Sequence, residues 1–158
     1  METKEYERLT SAYLDCIYRV AINGCKSYTD AEDVVQNTFI KLWEKENRFE
    51  NDDHARKWLI RVAVNECNSF WRSPWKRHTT SLEELQQEPA FSSPEKSNLY
   101  YAVRELPAKY RQIVHLYYFE DYSTKEIAEI MKLSETAVQT RLLRARQKLK
   151  EKLKEDGK

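Results

Sequence analysis

Apolar residues recur at spacings of three and four along most of the chain, and this pattern is interrupted once. The spacing places apolar side chains on one face of an α-helix, unlike the strict alternation that half-buried strands show. Two Gly and four Pro in 158 residues are also too few for the many turns of a β-rich fold. The sequence therefore predicts an all-α fold, which the interruption divides into two small helical domains.

The first helical domain is predicted to span residues 1–73 as a bundle of three helices. Its first helix stops near Gly24, and its second is capped by Thr29 or Asp30. The third helix follows a polar loop, residues 47–53. Three amphipathic helices of this length can bury one another's apolar faces, so we expect one small core.

A flexible linker is predicted over residues 74–97, where the helical spacing is lost and Pro, Ser, Gln and Glu accumulate. About 24 extended residues at roughly 3.4 Å each reach some 80 Å. That length is about two turns of DNA at roughly 34 Å each. The linker is therefore long enough for the two domains to contact separate sites on one duplex.

The second helical domain is predicted to span residues 98–158 as four helices, of which the last two form a helix-turn-helix. Ser123 and Glu126 have the spacing of a capping box, and Ser134 can cap the long final helix. The turn, residues 132–134, contains no Gly and must form without one. Ala128 is predicted to be the small residue at which the two helices approach closely. The apolar residues expected to anchor them are Ile127, Met131, Leu133, Val138 and Leu142.

The charge is unevenly distributed, although the whole chain has a net charge of only +1. Residues 99–158 carry 13 Lys or Arg against 9 Asp or Glu, and residues 141–154 carry seven basic side chains against one acidic side chain. A basic stretch of this kind often binds a polyanion, but it is equally typical of a solvated helix face. Charge alone leaves both interpretations open.

The final helix is predicted to enter the major groove of DNA with its N-terminal half. Gln and Arg can form paired hydrogen bonds with adenine and guanine edges, and a Leu or Thr methyl group suits the thymine methyl. The residues predicted to face the bases are Thr136, Gln139, Thr140, Leu143 and Arg144. Those predicted to bind phosphate are Lys125, Arg141, Arg146 and Lys148. The alternative is a helical hairpin with a hydrated basic face.

The third helix of the first domain, residues 55–72, interleaves basic and aromatic side chains. This pattern fits single-stranded DNA, whose bases stack on aromatic rings, although an aromatic residue taken singly is more often part of a core. The basic residues are Arg56, Lys57, Arg61 and Arg72. The aromatic residues are Trp58, Phe70 and Trp71, with Trp75 beyond the helix.

Four motifs, taken in order and spacing, resemble the extracytoplasmic-function group of sigma-70 RNA polymerase sigma factors. The first two are D-A-E-D-x-x-Q-x-x-F-x-x-x-W from Asp30 and W-L-x-x-x-A-x-N-x-x-x-x-x-x-R from Trp58. The third is L-P-x-K-x-R-x-x-x-x-L from Leu106, and the fourth is E-I-A-x-x followed by V-x-x-R-L-x-R-A-R-x-x-L, which ends at Leu149. The resemblance covers nearly the full chain, about residues 5–153.

The resemblance implies a protein that directs core RNA polymerase to −35/−10 promoters and begins promoter melting. In this family the second helix of the first domain, called region 2, contacts the clamp of the largest polymerase subunit. The matching positions are Asp33, Gln36, Phe39 and Trp43. The third helix and the loop before it open the −10 element and capture a flipped base. The residues expected there are Asn47, Arg56, Lys57, Trp58, Arg61, Asn65 and Arg72.

The last domain, called region 4 in this family, is implied to bind the −35 element, with Arg111 of its opening motif touching phosphate. The implied partners are core polymerase, through its clamp and flap, promoter DNA and an anti-sigma factor. Two positions depart from the family pattern, since Ser69 replaces a frequent Asp and Gln139 a common basic residue. These departures leave the promoter sequence open.

The reactive side chains do not suggest an enzyme. The three His are scattered and the three Cys contain no C-x-x-C pair, so we expect no metal, cofactor or disulfide framework, and we expect Cys16 and Cys67 to be buried. Without a bilayer-spanning apolar run or a signal core, a cytoplasmic location without membrane insertion is expected. A sigma factor is expected to be monomeric when free. The rival interpretation, a stand-alone helix-turn-helix regulator, predicts a dimer on a palindrome.

Overall fold

Seven α-helices make up the secondary structure of the computed structural model, which describes residues 1–25, 27–72 and 94–156. No strand occurs in these residues, so the all-α prediction is confirmed. None of these helices is long and apolar enough to cross a membrane. The helices are α1 (Thr3–Cys25), α2 (Tyr28–Glu44), α3 (Asp52–Arg72), α4 (Pro94–Glu105), α5 (Ala108–Tyr118), α6 (Thr124–Met131) and α7 (Glu135–Asp156).

The helices fall into two compact units, which belong to residues 1–79 and 80–158. Helices α1, α2 and α3 pack against one another in the N-terminal unit, and α4, α5 and α6 each pack against α7 in the C-terminal unit. Most of the predicted linker, residues 74–97, lies outside the described residues.

The core of the N-terminal unit is built from the apolar stripes of its three helices. Leu9 and Ile17 of α1, Leu42 of α2, and Leu59 and Ile60 of α3 have no exposed surface. Each such side chain contributes about 1.5–3 kcal/mol when it is fully buried. Cys16, Cys25 and Cys67 are also buried and none of them is in a disulfide, which confirms the expected burial of Cys16 and Cys67.

Helix α2 begins earlier than the sequence predicted. Ser27 is the N-cap: it has extended backbone, and its Oγ accepts a hydrogen bond from the Asp30 N–H at 3.3 Å. Thr29 and Asp30 therefore lie inside the first turn, and the prediction that either of them caps the helix is wrong. The preceding helix also continues through Gly24 and ends at Cys25.

The C-terminal unit confirms the predicted capping box. The Ser123 Oγ accepts from the Glu126 N–H at 3.1 Å, and the Glu126 carboxylate accepts from the Ser123 N–H at 3.2 Å. Ser134 Oγ likewise accepts from the Ala137 N–H at 3.1 Å at the start of α7. The core beneath these helices includes Leu106, Tyr110, Val114 and Ala145, with Val103 and Leu149 packed against it.

The turn between α6 and α7 forms without Gly because Lys132 adopts a left-handed conformation, with φ 53° and ψ 49°. Its N–H and that of Leu133 both donate to the Ala128 carbonyl, the latter at 3.0 Å. These bonds satisfy a carbonyl that the end of a helix leaves open. Ala128, buried at this point, provides the close approach that the sequence predicted.

Replacement of Lys132 by Gly is expected to raise the free energy of unfolding by about 0.5–1 kcal/mol, because Gly adopts left-handed backbone without the steric cost of a Cβ. Urea denaturation of the full chain measures this change. Lys150→Gly is the matched control, since Lys150 is exposed within α7 and Gly there should cost about 1 kcal/mol. A fall in stability for both variants would contradict the argument.

Candidate functional site

The outward face of α2 carries exposed side chains at spacings of three and four. Ile40 and Trp43 are 52% and 46% exposed, so two large apolar side chains lie at the surface. Gln36 and Asp33, which lie about one and two turns before Ile40, are also exposed. Apolar side chains next to polar ones on a surface are typical of a protein-binding site. These four residues, Asp33, Gln36, Ile40 and Trp43, form the α2 stripe.

The α2 stripe differs from the predicted set of residues at one position, since it contains Ile40 and not Phe39. Phe39 is only 6% exposed and belongs to the core, so the structure does not place this predicted contact residue on the α2 stripe. A side chain buried in this way cannot reach another protein without leaving the core. Ile40 was missed, although it lies four residues after Gln36 and three before Trp43, a spacing that could have indicated it.

Trp43 is held in a fixed position within the α2 stripe. Its ring packs edge-on against that of Tyr6, with the ring centroids 5.1 Å apart. The ammonium group of Met1 donates to the Trp43 carbonyl at 3.1 Å. A half-exposed ring that is already fixed loses less conformational entropy when a partner covers it.

The predicted contacts to the −10 element lie on the loop after α2 and along α3. Asn47 and Asn65 are exposed. The half-buried side chains of this set are Arg56, Lys57, Trp58 and Arg61. Lys57 Nζ lies 3.1 Å from an Asp53 carboxylate oxygen, one helical turn away. The structure therefore leaves two amides open to solvent and partly covers the cations and the ring.

Trp58 is neither fully buried in the core nor isolated on the surface. Its ring packs against Phe49 of the preceding loop, with centroids 5.5 Å apart, and it remains partly exposed. The other aromatic predictions cannot be placed in the same way. The side chains of Phe70, Trp71 and Arg72, together with Trp75, lie outside the described residues.

Helix α7 presents an open polar face beside a buried apolar one. Val138, Leu142 and Ala145 are at most 3% exposed and anchor the helix to the unit. Of the predicted base-facing residues, Thr140 is half-buried and the others are exposed, Leu143 to 55%. Gln147 is also exposed and lies four residues after Leu143, although the sequence analysis did not name it. The α7 face consists of Thr136, Gln139, Thr140, Leu143, Arg144 and Gln147.

Cationic side chains flank the α7 face, and two of them rest on aromatic rings. The Arg146 guanidinium lies 5.6 Å and 5.7 Å from the ring centroids of Tyr117 and Tyr118, and its Nε donates to the Tyr118 hydroxyl at 2.7 Å. That hydrogen bond raises the pKa of Arg146 above its ordinary value. Lys148 Nζ lies 5.8 Å from the Tyr110 ring centroid. Lys125 is exposed and Arg141 is half-buried.

Arg111 lies in the interior of the C-terminal unit, with 1% of its surface exposed. Its Nη1 donates to the Leu106 carbonyl at 2.7 Å and to the Arg104 carbonyl at 3.4 Å. Both carbonyls lie where α4 ends, and carbonyls at a helix end lack partners within the helix. The structure therefore uses Arg111 to close the turn between α4 and α5, and it does not present this side chain at the surface for the predicted phosphate contact.

Comparison with known proteins assigns both units. Residues 9–77 match the family model for sigma-70 region 2, and residues 96–149 match the model for sigma-70 region 4. The chain is 30% identical over 151 residues to the ECF RNA polymerase sigma factor SigM of Bacillus subtilis strain 168, covering 91% of this chain and 92% of that protein. The chain belongs to the extracytoplasmic-function group of sigma-70 factors.

Two solved structures share the fold. The sigma factor RpoE, in complex with the anti-sigma factor NepR from Bartonella quintana, matches with a TM-score of 0.79 and 26% identity, covering 96% of this chain and 98% of that one. CnrH, in complex with the cytosolic domain of CnrY, matches with a TM-score of 0.72 and 25% identity, covering 98% of this chain and 91% of that one.

The sigma factor therefore functions in transcription initiation with RNA polymerase, and the alternative of a stand-alone regulator is not favoured. Membership of a family of regulatory proteins is consistent with a non-catalytic role. Within the described part of the chain, no three His, Cys, Asp or Glu side chains are grouped so that they could hold a metal ion.

Proposed function

We propose that this sigma factor joins core polymerase to a −35/−10 promoter through three separate surfaces. The α2 stripe binds the clamp of the largest polymerase subunit, the loop before α3 and α3 itself bind the −10 element, and the α7 face binds the −35 element. We further propose that residues 74–97 link a region 2 domain, residues 1–73, to a region 4 domain, residues 98–158. The observation that carries the proposal is the open, cation-flanked α7 face.

The α7 face has the chemistry needed to distinguish base pairs. Gln139 and Arg144 can form paired hydrogen bonds with purine edges, and Leu143 can contact a thymine methyl group. The helix is anchored from behind by Val138 and Leu142, so these side chains project from a fixed backbone. The N-terminal half of α7 is exposed along this face, and a recognition helix enters the major groove with its N-terminal half.

The flanking cations are proposed to bind phosphate and to set the position of α7 on the duplex. Arg146 is well suited, because Tyr117 and Tyr118 orient its guanidinium before DNA arrives. Lys125, Arg141 and Lys148 complete the set. Contacts of this kind add affinity without selecting a sequence, and they make binding depend on salt concentration.

The loop before α3 is proposed to capture a base from the opened −10 element. Unstacking a base costs a few kcal/mol, so opening requires groups that bind the flipped base and the strand. The exposed amides of Asn47 and Asn65 can bond to base edges, and Arg56, Lys57 and Arg61 can reach phosphates. Trp58 offers a partly exposed ring for stacking.

The proposed partners are core polymerase, through its clamp and flap, and an anti-sigma factor. The anti-sigma partner is supported by the solved complex of the sigma factor RpoE with the anti-sigma factor NepR, in which RpoE covers 96% of this chain. We infer a cytoplasmic location, where polymerase acts, and a monomer when no partner is bound. Size-exclusion chromatography with light scattering tests the last point, and a dimer would count against it.

In vitro transcription tests the proposed function as a whole. Core polymerase is mixed with the purified chain and a library of genomic fragments, and the 5′ ends of the transcripts are mapped. We expect transcripts that begin at defined sites downstream of a shared pair of −35 and −10 sequences. Transcription that is identical with and without the chain would overturn the proposal.

Replacement of Arg144 by Ala is expected to weaken promoter binding by the holoenzyme by about 1–3 kcal/mol, because a paired contact to a base is lost. The lost affinity should depend mainly on one base pair of the −35 element. Competition among promoters that differ at single base pairs measures this dependence. Arg19→Ala is the control: it removes the same charge from an exposed position on α1. Equal losses for the two variants would exclude Arg144 from base contact.

A further inference from the structure

The loop between α2 and α3, residues 45–51, is held by one lysine at its start. Lys45 is the C-cap of α2, and its N–H donates to the Leu42 carbonyl at 3.2 Å. Its side chain folds over the loop, and its Nζ donates to the Asn47 carbonyl at 2.9 Å. One residue thus ends the helix and fixes the backbone of the exposed Asn47.

The same ammonium group lies over two aromatic rings. Lys45 Nζ is 4.7 Å from the ring centroid of Phe49 and 5.7 Å from that of Trp58. Both distances lie within the range of about 6 Å in which a cation is attracted to the face of a ring. Since Trp58 belongs to α3, the ammonium joins the end of α2, the loop and α3. Lys45, Phe49 and Trp58 form the lysine clasp.

The far end of the loop has hydrogen bonds of its own and meets the lysine clasp at Phe49. The His54 N–H donates to Asn51 Oδ1 at 2.8 Å, and the Glu50 N–H donates to His54 Nδ1 at 3.2 Å. The His54 ring also packs edge-on against Phe49, with centroids 5.3 Å apart. Between the two fixed ends, the side chains of Asn47 and Arg48 are exposed.

We propose that Lys45 is a positioning residue for promoter opening, acting through the lysine clasp to hold Asn47 in the conformation that captures the flipped base. The inference rests on the proposed role of this loop at the −10 element. Lys45 itself need not touch DNA, since its ammonium is engaged by a carbonyl and two rings. Preorganisation of this kind lowers the entropy cost of ordering the loop when the base enters.

Lys45→Met and Lys45→Arg test the proposal in reconstituted holoenzyme on the promoter recovered by transcript mapping. We expect Lys45→Met to slow opening of the −10 region by at least about five-fold, since a cation–π cluster and a hydrogen bond are lost. Fluorescence of 2-aminopurine placed in the −10 element reports the rate. Lys45→Arg should restore most of it, because Arg also binds carbonyls and ring faces. Lys4→Met, on the exposed surface of α1, is the control for loss of one charge.

Salt dependence separates positioning from direct contact. Removal of a lysine that binds phosphate makes the negative slope of log K against log [salt] shallower by about one. We expect the slope for Lys45→Met to equal that of the wild type, and a slope shallower by about one would overturn the proposal. Phe49→Leu, which keeps Lys45 but removes a ring, should slow opening in the same direction.

Amide hydrogen exchange in the free chain gives a readout that needs no promoter. Lys45→Met should speed exchange at residues 46–50 while leaving α1 and α2 protected, and unchanged exchange would overturn the claim that Lys45 orders the loop. If the wild-type chain gave no transcript at all, the proposed function would be overturned, and the ordering of the loop by Lys45 would not be affected. The two failures are therefore distinguishable.

Discussion

Replacement of Arg111 by Ala is expected to lower the free energy of unfolding by about 3 kcal/mol. Arg111 is fully buried and donates to the carbonyls of Leu106 and Arg104. Its removal leaves buried acceptors without donors, at a cost of about 1–3 kcal/mol for each such group, and it also opens a cavity. Since the free energy of unfolding of a native protein is only roughly 5–15 kcal/mol, this loss is a large fraction of the total.

Urea denaturation of the full chain measures this loss, and Lys109→Ala is the matched control. Lys109 is an exposed cation two residues away on α5, and its removal should change stability by less than about 0.5 kcal/mol. If Arg111 bound phosphate instead, Arg111→Ala would leave stability unchanged and would reduce the salt dependence of promoter binding. That result would contradict the structural role.

Replacement of Trp43 by Ala is expected to weaken binding of core polymerase by at least about 2 kcal/mol, or roughly 30-fold in Kd. Trp43 is half exposed, fixed against Tyr6 and aligned with Ile40 on the α2 stripe. A preordered aromatic ring of this kind is a frequent hot spot at protein interfaces. Fluorescence anisotropy of the labelled chain, titrated with core polymerase, measures the change.

Three further variants show whether the effect belongs to the α2 stripe. Ile40→Ala should weaken binding without lowering stability, because Ile40 is 52% exposed. Leu14→Ala is the control, since Leu14 is 40% exposed on α1 and lies outside the stripe. Phe39→Ala should lower the free energy of unfolding by about 3–5 kcal/mol, as expected for a buried aromatic residue. Unchanged Kd for both Trp43→Ala and Ile40→Ala would exclude the α2 stripe from the interface.

Local signals predicted part of the structure because they act within a few residues. The capping box of Ser123 and Glu126 joins groups three residues apart, so its formation depends on little else. The cap of α2 shows the limit of such signals. Ser27, Thr29 and Asp30 are all good capping residues, and in the structure Ser27 is the one that caps α2.

The composition of the binding surfaces was only partly predictable. Helical spacing indicates which face of α2 is apolar, and Phe39 lies at the edge of that face, whereas Ile40 lies on the opposite side. Packing of α1 and α3 against α2 buries Phe39 and leaves Ile40 exposed. The motif of region 4 likewise contains Arg111 without indicating whether its guanidinium faces solvent or the interior.

By itself, the sequence determined two helical modules, the polar face of α7 and membership of a sigma-factor family, because periodicity, capping and motif spacing are properties of short segments. The tertiary structure decided that Phe39 at the edge of α2 is buried, and that Arg111 closes the turn between α4 and α5. The physical reason is that burial and pairing depend on groups supplied by other helices, and their approach is set by packing rather than by spacing along the chain.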